Sequence, residues 1–167
     1  MTLKIFARKT AKTLVIALTT VALLPGAVLG APMAIAMEQI LSVAPNTLPL
    51  SVAGTAGGRV AIPRAIVPAG AGRPSKSCLG FASLEANHHL DLDAASNSLT
   101  ITVNSFGSDV DTTLAIKTPE GQWLCGDDIS ATNKDAAVTI NSPSAGRYEV
   151  WVGTFDGGYA DYELSLN

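Results

Sequence analysis

The stretch Arg147-Tyr148-Glu149-Val150-Trp151-Val152 decides the fold, because its apolar and polar side chains alternate with the period of a β-strand. Successive side chains of a strand point to opposite faces, so Tyr148, Val150 and Val152 share one face and Trp151 lies on the other. The face of Tyr148 is wholly apolar. We therefore predict a strand here that contributes this face to a hydrophobic core.

The same alternation occurs in segments before and after this strand in the sequence, and turn-forming residues separate these segments. Alternating segments occupy residues 89–93, 99–103, 114–117, 138–140 and 162–166. Turn signals containing Gly, Pro, Asn or Asp stand at residues 96–97, 119–121, 143–146 and 156–158. No stretch of plausible length has apolar residues at helical spacing. Several short strands joined by tight turns predict an all-β fold, a single small antiparallel β-sandwich or a barrel.

Residues 1–36 have the organisation of a secretory signal peptide. Four basic residues and no acidic residue accompany an apolar run at residues 14–24, which is shorter than the roughly 20 residues of a membrane span. Small residues at Ala34 and Ala36 predict cleavage after Ala36. The mature protein would then be secreted or periplasmic and would have no membrane span. An uncleaved membrane anchor is the alternative, since the residues past Pro25 stay apolar.

Residues 37–76 differ in composition from the segment that follows them. They are rich in Ala, Pro, Gly and Val and contain no aromatic residue with which to build a core. This composition predicts a mostly disordered spacer. Aromatic residues and strand periodicity begin only past Ser77, so we place the folded domain at residues 77–167.

The chain has two cysteines, Cys78 and Cys125, and both follow the predicted signal peptide. In an oxidising compartment, an even pair in a small domain predicts a disulfide. The bond would close a loop of 125 − 78 = 47 residues, for which the chain-entropy model gives about 4 kcal/mol of stabilisation. A reactive thiol or metal-binding pair is the alternative, although the sequence contains no Cys-x-x-Cys.

Short motifs in the predicted domain stand in a recognisable order and spacing. They are residues 111–116, Pro119-Glu120-Gly121, Asp127-Asp128, residues 145–153 and residues 161–166. Together, over about residues 78–167, they resemble the bacterial pre-peptidase C-terminal domain. The resemblance implies a jelly-roll-like β-sandwich of the kind that usually trails secreted peptidases and assists export or substrate binding. Some relatives in that family bind calcium or collagen.

The chain departs from the family pattern in two respects. Thr113 stands where the family often has a second aspartate. The predicted organisation is signal peptide, spacer and module, with no peptidase domain ahead of the module. We therefore expect an isolated module.

Four aspartates form the first candidate site, a calcium site. Asp109 and Asp111 precede one predicted strand, and Asp127 and Asp128 follow the next. A hairpin turn at residues 119–121 puts the start of the first strand beside the end of the second, so Asp111 should lie near Asp127. Carboxylates held close raise one another's pKa unless a cation relieves them, and calcium prefers oxygen ligands. The alternative is that these aspartates form Asx turns and cap loops on a solvated rim.

The second candidate is an aromatic platform made of Trp151, Phe155 and Tyr159. If Trp151 faces outward, these side chains would stack against sugars or extended peptides. In the alternative, a neighbouring strand or the spacer covers Trp151. A weaker hypothesis places a transition metal at His89, Asp91 and Asp93, which share one strand face, although any solvated strand surface has the same pattern.

No catalytic residue is assigned. The sequence contains neither Gly-x-Ser-x-Gly nor His-Glu-x-x-His, and its two histidines are adjacent in one strand. Signal cleavage leaves 7 basic and 14 acidic residues, a net charge of 7 − 14 = −7, which argues against nucleic acid as a partner. We expect a secreted binding or accessory module with a protein or polysaccharide partner, such as a secreted peptidase. The alternatives are a small secreted hydrolase and a purely structural envelope protein.

Overall fold

A computed structural model describes residues 40–71, 78–107 and 109–167. The predicted signal peptide lies outside these residues, as do residues 37–39 and 72–76 of the predicted spacer. Among the described residues, no helix is long and apolar enough to cross a membrane.

The described chain is built from short strands. They are β1 (Ile40–Val43), β2 (Leu50–Ala56), β3 (Val60–Ala61), β4 (Phe81–Ala82), β5 (His88–Leu92), β6 (Ser98–Ser105), β7 (Thr112–Lys117), β8 (Trp123–Gly126), β9 (Asp128–Ser130), β10 (Asn133–Asn141), β11 (Gly146–Thr154) and β12 (Ala160–Leu166). A 3₁₀ turn at Pro45–Thr47 joins β1 to β2, and an irregular turn at Ile62–Ile66 follows β3.

The strands form two packed sheets, so the prediction of an all-β sandwich is confirmed. In the first sheet, β11 pairs with β5 and β4 on one side and with β7 on the other, while β1, β3 and β8 form its margins. The second sheet has the order β2-β12-β6-β10-β9. The pairings are antiparallel except that of β1 with β5, which is parallel and was not predicted.

The prediction of a disordered spacer at residues 37–76 is wrong for the described residues 40–71. Strand β2 pairs with β12 along its whole length, from Leu50 opposite Leu166 to Ala56 opposite Ala160. Its glycine has a structural reason, because a Cβ added at Gly54 would lie 2.4 Å from the Tyr162 hydroxyl oxygen. The small residues that suggested disorder therefore let β2 pack closely on its neighbour, and the folded domain begins before residue 77.

Two hydrophobic clusters stabilise the sandwich. The main core lies between the sheets and contains the Tyr148 face of β11, as predicted, together with inward-facing residues of β5, β6, β7 and β12. A second group, here called the tryptophan cluster, contains Ile62, Ile66, Val67, Cys78, Ala82, Ala115, Trp123, Cys125 and Trp151. The predicted disulfide between Cys78 and Cys125 is present, with Cα atoms 5.2 Å apart, and it belongs to this cluster.

Candidate functional site

The structure brings three of the four predicted aspartates together. Strands β7 and β8 form the expected hairpin, with Leu114 opposite Gly126, so Asp111 before β7 lies near Asp127 after β8. One carboxylate oxygen from each of Asp111, Asp127 and Asp128 lies within 4.8 Å of the others. Asp109 is exposed and stands outside this group.

Burial and like charge act together on this acidic group. Burial, and then the charges of Asp128 and Asp127, raise the pKa of Asp111 above its usual value. Lys134 forms an ion pair with Asp128, and this hydrogen bond raises the pKa of the lysine. One described lysine thus faces three carboxylates.

The donor set of this group suits a hard cation. The Oδ1 atoms of Asp111 and Asp127 are buried and have no hydrogen-bond partner among the described residues. Buried polar atoms normally find partners, so these oxygens have acceptor capacity left over. Three carboxylates supply part of the six to eight oxygen ligands of calcium, and water or backbone carbonyls would have to supply the others.

The loop between β11 and β12, which carries the exposed residues Phe155 and Tyr159, begins beside Asp111. The Phe155 N–H donates to the Asp111 carbonyl at 2.9 Å, which fixes the loop between β11 and β12 against the start of β7. The carboxylate of Asp156 in that loop also raises the pKa of Asp111. Phe155 is 53% exposed and Tyr159 is 68% exposed. We call this surface the acidic end; it comprises Asp111, Asp127, Asp128, Phe155, Asp156 and Tyr159.

The prediction that Trp151 belongs to an exposed platform is wrong. Trp151 is only 6% exposed, and its ring centroid lies 5.1 Å from that of Trp123. Its indole N–H donates to the Leu84 carbonyl at 3.3 Å. Residues 62–67, from the predicted spacer, pack in the same cluster and help to cover this face, which is the alternative that the sequence left open.

The histidine strand does not supply an accessible acid or base at His88. Its Nε2 lies 2.6 Å from the Tyr162 hydroxyl oxygen inside the sandwich, and burial lowers the pKa of His88 to about 4. The carboxylate of Asp91 accepts two hydrogen bonds from Arg147, at 2.8 and 2.9 Å. Asp93 accepts one from Ser42 at 3.2 Å. Both carboxylates of the weaker metal hypothesis are therefore engaged by protein groups.

The sequence reasoning missed two surface depressions. One, of about 390 Å³, lies on the second sheet and is lined by Ala53, Gly54, Thr55, Phe106, Asp161 and Tyr162. The other is a polar groove of about 510 Å³. In this groove Ser144 donates to Glu120, and its carbonyl accepts from the Tyr148 hydroxyl, so these polar groups are satisfied internally. The first depression could not be predicted, because half of the residues that line it belong to β2, in the segment that was predicted to be a disordered spacer.

No protein-family model and no curated protein matches the sequence. Among solved structures, the chain is similar to the pre-peptidase C-terminal domain of a collagenase from Bacillus anthracis. The two are 15% identical, and the match covers 78% of this chain and 96% of that domain with a TM-score of 0.46. That domain is of the family that the sequence motifs resemble.

Two other solved structures are similar to the chain. CorA, a surface-associated copper-binding protein of Methylomicrobium album, is 10% identical, and the match covers 78% of this chain and 98% of that protein with a TM-score of 0.41. PliG, a periplasmic inhibitor of g-type lysozyme from Aeromonas hydrophila, is 13% identical. That match covers 78% of this chain and 97% of PliG with a TM-score of 0.32.

Proposed function

We propose that this protein is a non-catalytic binding module that acts outside the cytoplasm and contacts its ligand through the acidic end. One observation supports the proposal: the backbone hydrogen bond from the Phe155 N–H to the Asp111 carbonyl holds the start of the loop that carries Phe155 and Tyr159 beside the acidic group. An aromatic ring beside carboxylates binds an apolar segment that carries positive charge. A basic segment of an extracytoplasmic protein, such as a secreted peptidase, therefore fits this surface better than a neutral polysaccharide.

Two features support an extracytoplasmic location. The disulfide between Cys78 and Cys125 persists in oxidising compartments and is rare in the cytosol. The first 36 residues have the charge and hydropathy pattern of a cleaved signal peptide. Determining the N-terminus of the exported protein tests this part: a start at Met37 supports cleavage after Ala36, and retention of the first residues contradicts it.

Ligand capture tests the binding surface. Purified protein is immobilised and exposed to extracytoplasmic extracts, and the captured proteins are compared with those retained by a Phe155→Ala/Tyr159→Ala variant. Phe106→Ala is the matched control, because Phe106 is 72% exposed but lies in the depression beside β2. We expect the double variant to lose the captured protein and the control to keep it. Equal capture by the double variant contradicts a role for the acidic end.

Calcium is proposed as the ion held by Asp111, Asp127 and Asp128, and Asp156, which is outside this group, is then the carboxylate of the acidic end that faces the basic segment. The buried Oδ1 atoms of Asp111 and Asp127, which have no hydrogen-bond partner within the described part of the chain, support this assignment. A bound ion stabilises the folded state by mass action, about 2.7 kcal/mol at a hundredfold excess over its dissociation constant. The melting temperature should rise with calcium and fall with chelator, and Asp127→Ala should abolish the difference. A melting temperature that changes with neither calcium nor chelator would contradict a calcium site and indicate that these aspartates are solvated loop residues.

The hydrolase alternative requires an accessible base, and the interior position of His88 beside Tyr162 argues against that residue. Assays on generic peptide and ester substrates test the alternative directly. Turnover that disappears on substitution of one serine or histidine would overturn a non-catalytic function. The ligand-capture experiment also tests the alternative of a structural envelope protein, because such a protein would capture no soluble ligand.

A further inference from the structure

The second sheet carries a depression that shares no residue with the acidic end. Its volume is about 390 Å³, and it is lined by Ala53, Gly54, Thr55, Phe106, Asp161 and Tyr162. Small-molecule sites in proteins have volumes of about 300–1,000 Å³ and combine apolar or aromatic surface with a few placed polar groups. The depression has this size and this composition.

The register of the sheet places an aromatic ring, a carboxylate and a hydroxyl side by side. Thr55 on β2 lies opposite Asp161 on β12, and the Phe106 N–H donates to the Asp161 carbonyl. The side chain of Asp161 points away from the core, because its neighbour Tyr162 is 0% exposed and points inward. Phe106 is 72% exposed, so its ring is available to a ligand at this outer face.

Hydrogen bonds fix the polar part of the depression before any ligand arrives. The Thr55 hydroxyl donates to Asp161 Oδ1 at 3.0 Å, and the Thr55 carbonyl accepts from the Asn87 side chain at 3.1 Å. Behind Gly54, the ring of Tyr162 fills the space toward the core and makes the floor rigid. A carboxylate has about four acceptor positions, of which the Thr55 hydroxyl uses one. Asp161 therefore presents ordered acceptors to a ligand.

The surface around the depression carries no positive charge. Strands β2, β6 and β12, which form this part of the sheet, contain no lysine and no arginine. Their charged residues are Asp161 and Glu163. Phosphate, sulfate and carboxylate ligands are therefore disfavoured here, and the ligand should be neutral or cationic.

Uncharged polar groups continue from the depression across the same face. Asn104, two residues before Phe106, donates to Ser165 Oγ at 2.8 Å, which leaves its amide oxygen to accept. Further along β6, the hydroxyl oxygens of Thr100 and Thr139 lie 3.0 Å apart. We call these amide and hydroxyl groups the polar track. They offer donors and acceptors to a ligand with many hydroxyls and give little to a cation, in contrast to the clustered carboxylates of the acidic end.

We propose that the depression binds one ring of a neutral oligosaccharide and that the polar track contacts the rings that follow. A pyranose ring has an apolar face of C–H groups, which stacks on the Phe106 ring. Its hydroxyl groups donate to the Asp161 carboxylate, and such charge-assisted hydrogen bonds are stronger than neutral ones. The site gives the module a second ligand and does not depend on which protein contacts the acidic end.

Isothermal titration calorimetry tests the site with cellohexaose and chitohexaose, two neutral chains of pyranose rings. We expect weak binding of at least one of them, at one site per chain, and a loss of at least about tenfold in Phe106→Ala. Leu84→Ala is the matched control, because Leu84 is 65% exposed and lies outside the depression. Circular dichroism checks that each variant is folded. Binding of neither oligosaccharide, or equal binding by Phe106→Ala, would overturn the proposal.

A cationic ligand would behave differently, and hexalysine is the probe for it. Affinity for a neutral oligosaccharide should be the same at low and high salt, whereas salt screens the attraction of a cation to a carboxylate. Asp161→Asn keeps an acceptor oxygen and should weaken oligosaccharide binding less than Asp161→Ala does. Hexalysine binding that Asp161→Asn abolishes, with no binding of either oligosaccharide, would assign the depression to a cation and contradict the proposal.

The depression and the acidic end can be separated by their ligands. Phe106→Ala should lose the oligosaccharide and keep the protein captured by the acidic end. The Phe155→Ala/Tyr159→Ala variant should lose the protein and keep the oligosaccharide, so a failure of one proposal is distinguishable from a failure of the other. Loss of both ligands in a folded Phe106→Ala protein would show a single shared surface and contradict a separate saccharide site.

Discussion

The side-chain amide of Asn87 is bonded to the backbone of Val152: its Oδ1 accepts from the Val152 N–H at 2.8 Å. Its Nδ2 donates to the Thr55 carbonyl at 3.1 Å. Val152 lies on β11 of the first sheet and Thr55 on β2 of the second. Asn87 therefore fills a gap between β5 and β4 along β11 and links the two sheets at that point.

Removal of this amide should destabilise the fold. Asn87→Ala leaves the Val152 N–H without its partner, and an unsatisfied buried donor costs about 1–3 kcal/mol. Urea unfolding measures the loss. Asn104→Ala is the control, because that amide donates to groups on the exposed face and its removal should change stability by less than about 0.5 kcal/mol. Equal losses in both variants would contradict a special role for Asn87.

The disulfide should contribute a large share of the stability. Reduction of Cys78–Cys125 frees a loop with a sequence separation of 47 and should lower the free energy of unfolding by about 4 kcal/mol. The bond lies in the cluster of Trp123 and Trp151, so reduction should also change tryptophan fluorescence. A Cys78→Ala/Cys125→Ala variant separates loss of the cross-link from effects of the reductant. Unchanged stability on reduction would contradict this account.

Trp151 and Phe155 should respond to truncation in opposite ways. Trp151→Ala removes a buried indole from the tryptophan cluster and should cost about 3–5 kcal/mol of stability. Phe155→Ala removes an exposed ring and should change stability by less than about 0.5 kcal/mol while weakening ligand capture. Chemical denaturation of both variants measures the contrast. If Trp151→Ala were as stable as the wild type but lost ligand capture, Trp151 would be part of the binding surface and this prediction would be wrong.

Protonation of His88 should make the fold sensitive to acid. Its pKa is about 4 in the folded state against an ordinary value of 6.5, so the unfolded chain binds more protons between these values. The free energy of unfolding should therefore be highest above pH 6.5. It should fall as pH decreases toward 4, by at most about 3 kcal/mol. Unfolding free energies measured across this range should slope more gently in His88→Gln. An imidazole resonance of His88 that titrates near 6.5 would contradict the burial argument.

The pKa shift of Asp111 should have the opposite effect on the pH dependence of stability. Its pKa is raised in the folded state, so its ionised form is disfavoured there and stability falls as pH rises through the range above 3.8. Asp111→Asn should therefore stabilise the protein at neutral pH in the presence of chelator, with the gain disappearing below pH 3.8. Added calcium should raise the stability of the wild type and leave that of Asp111→Asn unchanged. Asp109→Asn, outside the acidic group, is the control and should show neither effect.

The sequence by itself determined the strands from β5 onward, except β9 and residues 133–137 of β10, for which no strand was predicted. Their apolar residues alternate with period two, and Gly, Pro, Asn and Asp mark the turns, so the signal is local and survives without tertiary information. The nearness of Asp111 to Asp127 followed in the same way, because a hairpin fixes which strand ends meet. The disulfide could be predicted from two cysteines that follow a predicted signal peptide.

The tertiary structure alone decided what happens in regions with no local signal. Strand β2 is made of small residues with weak strand preference, and its pairing with β12, more than one hundred residues away in sequence, holds it in the sheet. Alternation placed Trp151 on the face opposite Tyr148 but could not reveal that residues 62–67 pack there. Phe155 meets Asp111 because β11 pairs with β7, a long-range contact that no window of sequence contains.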